Sequence, residues 1–211
     1  MNKLTEQFFT EYSDIFTQAD VATVINGSYF SRHGLIKRAM SAGEILNIRR
    51  GLYCLAPKYQ KRPISIYNAA ERIYGPSYVS LETALSYYNW IPEAVYACTC
   101  VSYQKTRQFE TPLGIFSYKH VPQHILYLGV RRYEDKNKNV FLMASPAKAL
   151  ADYIYIHKLN RTNINKVAED LRIEEEDFNN VNPQELSELI DNYSNHRVKQ
   201  FLTEWLEVLK P

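Results

Sequence analysis

Apolar positions recur at helical spacing through the first forty residues of this chain and then give way to short alternating runs. Leu4, Phe8, Tyr12 and the pair Ile15/Phe16 share one face, which predicts an amphipathic helix over 4–16. Val21, Val24 and Ile25 mark a short second helix, and Asn26-Gly27 closes it, because glycine takes up the left-handed turn that ends helices. Ser28 is placed to cap a third helix running to about Ala42. At roughly 100° of rotation per residue, Leu35, Ile36, Ala39 and Met40 fall on one arc of that helix. Ser31, His33, Gly34, Lys37, Arg38 and Ser41 fall on the other, while Arg32 sits among the apolar positions. After Gly43 the run EILNIRRGLYCLAP reads as two short strands, about 44–48 and 52–56, joined at Arg49-Arg50-Gly51.

Farther along, Pro63 opens a helical stretch, ISIYNAAERIY, that Gly75-Pro76 ends. SLETALSYYN is a second short helix with Ser80 as its cap. Beyond Pro92 the period changes to two in VYACTCVS, RQFETPLGIFSYKHV, ILYLGVRRY and NVFLMAS. These predict an antiparallel sheet of about four or five strands, with TPLG as one turn. SPAKALADYIYIHKL returns to helix, and weaker helices follow at about 163–172, 183–193 and 195–209. Glu174–Asp177 reads as a solvated acidic connector. The expected fold class is α+β: a winged helix-turn-helix over 1–62, then a larger α+β domain over 63–211 with an antiparallel sheet and C-terminal helices.

Charge sharpens this picture. The net charge of the whole chain is only +2, but residues 1–62 carry +4, residues 63–144 carry +2 and residues 145–211 carry −4. Between 28 and 62, Arg32, Lys37, Arg38, Arg49, Arg50, Lys58, Lys61 and Arg62 face a single acid, Glu44. A basic end on three short helices and an arginine-tipped hairpin is the footprint of a protein that meets a phosphate backbone. In that geometry the third helix enters the major groove and the hairpin tip grips phosphate or the minor groove. The expected DNA-binding residues are therefore Ser31, His33, Lys37, Arg38 and Ser41 on the helix, and Arg49 and Arg50 on the hairpin. A second basic set, Lys105, Arg107 and Lys119 beside Tyr103 and Tyr118, reads either as strand-surface charge or as a contact for nucleic acid or a partner.

Other chemistry is thin. The seven glycines form no phosphate-cradling loop, and no GxSxG, HExxH or paired-carboxylate signature occurs. Cys98-x-Cys100 with His120 and His124 offers zinc-type ligands at a spacing tighter than usual, so neither metal nor cofactor is expected. Asp152 and His157 lie five apart on a helix and do not share a face. Three cysteines fit a reducing compartment. No run approaches the ~20 apolar residues of a membrane span, and the N-terminus lacks a leader's apolar core, so a cytoplasmic, non-enzymatic protein is expected. Seventeen tyrosines suggest half-buried or interface surfaces.

Two stretches are also familiar. LIKRAMSAGEILNIRRGLYCLAP resembles the N-terminal domain of the AbiEi antitoxins of type IV toxin–antitoxin (abortive infection) systems. PSYVSLETALSYYNWIPEAV with KTRQFETPLGIFSYKHV resembles the segment that follows in that family, and SPAKALAD is a weaker third match. The resemblance spans roughly residues 20–158 and implies an autorepressor that binds inverted repeats in double-stranded operator DNA. It further implies that the later domain counters an AbiEii-type nucleotidyltransferase toxin. Three other readings stay open beside it: an antitoxin working by protein contact alone, a lone regulator without a toxin, and a nucleic-acid-processing enzyme.

Overall fold

The computed structural model describes residues 1–11, 14–159 and 164–209. Its first unit runs α1 (Lys3–Glu11), β1 (Ile15–Thr17), α2 (Gln18–Val24), α3 (Tyr29–Ser41), β2 (Ile45–Arg49) and β3 (Leu52–Leu55). The three strands form an antiparallel sheet in the order β1–β3–β2. One expectation is corrected here. The first helix stops by Glu11 instead of reaching 16, and Ile15 and Phe16 lie in a strand, opposite Cys54 and Tyr53. Apolar spacing of three and four could not separate these states, because a buried three-residue strand supplies no period of its own. Tyr12, part of the same expected helix, lies outside the described residues.

The second unit follows a 3-10 turn at Pro57–Tyr59 and runs α4 (Ile66–Ile73), β4 (Ser77–Val79), α5 (Leu81–Tyr87), β5 (Ala97–Ser102), β6 (Arg107–Thr111), β7 (Gly114–His120), β8 (Val130–Glu134) and β9 (Val140–Ala144). Its helices continue as α6 (Pro146–Ile156), α7 (Ile164–Leu171), α8 (Glu175–Asn179), α9 (Pro183–Asn192) and α10 (His196–Val208). The protein is thus mixed α+β. Its larger sheet has six strands in the order β6–β7–β5–β4–β9–β8 and is mixed, not antiparallel. β5 runs parallel to β7 and β4 parallel to β9. The hairpin β6–β7 folds back so that β7, not β6, lies against β5, and β6 becomes the edge. Strand β4 escapes a period-two reading because its three residues are all buried and show no alternation. ILYLG adds nothing to β8, which begins at Val130, and the acidic connector opens α8, which Phe178 anchors between Trp90 and Trp205.

Two cores result. The smaller gathers Leu4, Phe8, Phe16, Val21, Ile25, Ile36, Ala39, Ile45, Tyr53 and Leu55, with the Phe8 and Phe16 rings stacked at 4.0 Å. The larger fills the six-stranded sheet and its helices, and it also takes in Ile15, Ile48, Leu52 and Cys54 from the small sheet. β3 is buried on both faces: alternate residues give Tyr53 and Leu55 to one core and Leu52 and Cys54 to the other. The chain crosses between the units near residue 62. There Arg62 donates to the Asn137 carbonyl at 2.9 Å, and Lys61 donates to the Thr10 carbonyl at 2.8 Å. Among the described residues no helix is long and apolar enough to cross a membrane.

Candidate nucleic-acid interface

The basic segment is built from the α2–α3 turn outward. Thr17 and Asp20 close a capping box that starts α2, the Thr17 N–H donating to Asp20 at 2.7 Å and the Asp20 N–H to Thr17 at 3.2 Å. At Gly27 φ is +127°, a conformation that requires glycine, and an added Cβ would also have to displace the Ser31 hydroxyl, 2.6 Å away. Ser28 caps α3 by accepting from the Ser31 N–H at 3.2 Å. Arg32, the misfit on the apolar arc, turns back and donates to the Gly27 carbonyl. Its charge is used to close the turn and is not stranded in the core.

α3 presents the expected division of faces. Ile36 and Ala39 are buried, Leu35 and Met40 pack partly against the small core, and Lys37, Arg38 and Ser41 are exposed. Two of the expected contacts are less free. Ser31 donates its hydroxyl to the Ser28 carbonyl at 2.8 Å. His33 is half-buried, its ring parallel to Tyr29 at 6.0 Å, with Nδ1 buried and unbonded. Sequence reasoning passed over Tyr29 and Phe30 at the start of the helix, although both are exposed, Phe30 at 83%. Two consecutive aromatics directly after a capping serine, where one of them must miss the core, were the available signal.

At the other edge, Arg49 and Arg50 are exposed around a tight turn in which Gly51 has φ +79° and the Gly51 carbonyl accepts from the Gln18 N–H at 3.2 Å. The register slips between Asn47 and Arg49, a bulge that twists the hairpin tip. Arg49 also lies near enough to Tyr118 for its charge to oppose, weakly, the strong upward push that burial gives that phenol.

Glu44, the single acid of the basic stretch, does not face outward. It is buried and accepts from the Thr5 hydroxyl at 2.6 Å and the Asn2 N–H at 2.7 Å, tying α1 to the start of β2. These two hydrogen bonds, Thr5 first, hold its carboxyl below the ordinary value. A lowered folded value stabilises the fold above the unfolded pKa of about 4.3 and loses that contribution as pH falls through the folded one. Glu44→Gln should accordingly flatten the acid limb of a plot of Tm against pH. An acid limb as steep as that of the parent would show that Glu44 does not titrate with unfolding. The outer surface of 28–62 is left without an exposed acid.

The second basic set is divided by the strand register. Arg107 stands opposite Tyr118, which places it on the face of Phe116 and Tyr118, whereas Lys119 points to the other face. Arg107 lies over the Tyr74 and Phe109 rings at 5.9 and 5.8 Å, and the Lys105 carbonyl accepts from the Tyr74 hydroxyl at 3.1 Å. Lys105 and Arg107 are exposed beside Tyr74 on the strand edge that packs against β2. Tyr118 is fully buried and donates to the Ala70 carbonyl at 2.6 Å, so it belongs to no surface.

Cys98 and Cys100 are buried with their sulfurs 3.9 Å apart, while His120 and His124 are exposed. Burial raises the Cys100 thiol well above its ordinary value. No group of three or more His, Cys, Asp or Glu side chains is arranged to hold a metal among the described residues. His157 pairs with Glu82 at 2.8 Å, far from any shared chemistry with Asp152.

Asp152 instead centres a buried polar cluster that the sequence did not reveal. It accepts from Tyr78 and Ser80 at 2.8 Å each and from Tyr193 at 2.6 Å, with the Lys148 ammonium 3.8 Å away. Lys148 also donates to the Gln123 carbonyl oxygen and lies over the Tyr193 ring at 4.4 Å. Burial lowers the lysine's pKa, and Asp152 opposes the shift. Every one of these side chains is buried, so the cluster binds β4, α6 and the end of α9 together and offers no entry for a ligand. No protein-family model matches the chain, and no curated protein matches it.

Proposed function

We propose that this protein is a DNA-binding transcriptional regulator whose first unit is a winged helix-turn-helix, with α3 as the groove-entering helix and the β2–β3 hairpin as the wing. The observation that carries the reading is the pairing of two exposed basic elements, Lys37 and Arg38 on α3 and Arg49 and Arg50 on the hairpin, with burial of the one acid between them. The order helix, strand, helix, helix, hairpin supports it. Resemblance to the AbiEi antitoxins extends the proposal to an autorepressor acting on inverted repeats and, through the larger unit, to an antitoxin against a nucleotidyltransferase. Growth rescue tests that extension: a nucleotidyltransferase encoded beside this chain should arrest cells, and co-expression of the full chain should restore them. Arrest that persists despite normal levels of the chain would remove the antitoxin role.

Binding to the DNA upstream of its own reading frame, followed by titration, tests the DNA reading. Arg38→Ala should cost about 1–3 kcal/mol on the preferred sequence if the guanidinium makes a bidentate contact with a guanine. Lys37→Ala should weaken preferred and unrelated duplexes alike, as removal of a phosphate-binding cation does. Both lie on the solvent side of the helix, so neither removal disturbs the core. Unchanged affinity in both variants would show that α3 is not the reader.

A further inference from the structure

Phe30 is the most exposed large apolar side chain on α3, and its position on that helix is specific. At about 100° per residue it lies between Lys37 and Ser41, at the middle of the exposed face and away from buried Ile36 and Ala39. Its ring meets that of Tyr29 in a T-shaped arrangement at 5.8 Å. One turn on, Gly34 lets the Arg38 side chain lie close to the helix, its Nη1 3.4 Å from where a Cβ would stand. An aromatic ring and a guanidinium laid over Gly34 thus follow one another along a face that carries no acid.

We propose that Phe30 reads sequence by packing its ring against the C5-methyl group of a thymine in the major groove. The proposal rests on the reading of α3 as the groove-entering helix. Residues in the first turn of such a helix reach the base edges. Base edges in that groove present hydrogen-bond donors and acceptors, and thymine adds to its O4 acceptor a C5-methyl, the apolar group a phenyl ring can use. Lys37 and Arg38 hold the backbone and an adjacent base, which brings the exposed Phe30 ring to the methyl.

The test uses the full chain and duplexes it selects from a random-sequence pool. Each thymine of the selected site is replaced singly by deoxyuridine, which removes the methyl and nothing else. One replacement should weaken binding about fourfold, the value of one buried methyl group. With Phe30→Ala the thymine and uracil duplexes should bind equally. With Arg38→Ala both should weaken while the fourfold ratio persists. A Phe30→Ala protein that keeps the ratio overturns the proposal, as does a parent protein indifferent to every replacement. In either case a loss with Arg38→Ala leaves α3 as the reader, whereas no effect from either variant removes α3 from the interface altogether. Self-association of the parent that Phe30→Ala abolishes, with the ratio unchanged, would assign the ring to a second copy and likewise overturn the proposal. Because Phe30 is 83% exposed, the alanine variant removes little cover from the core.

Discussion

Asp152→Ala should lower the unfolding free energy by about 3–5 kcal/mol, the cost of leaving a buried charge without its partner. Three hydroxyl donors, from Tyr78, Ser80 and Tyr193, would lose their acceptor, and the Lys148 ammonium would keep Gln123 and the Tyr193 ring but have no counter-charge and no solvent access. Asp152→Asn keeps an acceptor for the hydroxyls and loses the charge, so it should fall between parent and alanine. Adding Lys148→Met to Asp152→Asn should then recover part of the loss, because an apolar side chain of similar length needs no counter-charge. Denaturant midpoints with a constant m-value measure all three. If Asp152→Ala cost less than about 1 kcal/mol, or if Lys148→Met gave no recovery, the ion pair would not hold the C-terminal helices to the sheet.

The second large effect concerns salt. Changing both Arg49 and Arg50 to Ala should reduce the magnitude of the slope of log affinity against log salt by about one to two units, one for each phosphate no longer gripped. Between 50 and 200 mM salt, the parent should therefore lose roughly 4- to 16-fold more affinity than the variant. Preferred and unrelated duplexes should weaken together, since phosphates carry no sequence. Both side chains are exposed at the hairpin tip, so the melting temperature should change little. An unchanged slope in a protein that melts normally would take the hairpin out of the interface and leave α3 to bind without it.

What the chain disclosed about itself follows from the range of each signal. Ser28, Gly27 and the split faces of 31–41 are local, and they placed α3 within a residue. The turn at Arg50-Gly51 was equally legible, since a positive φ at glycine is a property of the residue. Strand order was not. Nothing in RQFETPLGIFSYKHV states that its second half, not its first, will lie beside VYACTCVS, because that choice is made by burial of Phe116 and Tyr118 against the helices. Asp152, Lys148, Tyr78 and Tyr193 are separated by up to 115 positions, and only folding brings their polar atoms together. One long-range feature did have a written sign: LYCLA at 52–56 contains no charged or amide side chain, as a strand with one wet face would.

That strand limits how the protein can be rearranged in evolution. With β3 shared between two cores, the N-terminal unit is no interchangeable module that recombination near residue 62 could pass intact to another effector. A transplanted copy would arrive with Ile15, Ile48, Leu52 and Cys54 stripped of cover, a ready-made sticky patch. Descendants that exchanged this unit would have to repaint those four positions at the same time. Lineages carrying the shared strand are therefore expected to diversify by changing exposed residues on α3 and the hairpin tip, while the two units are inherited as one.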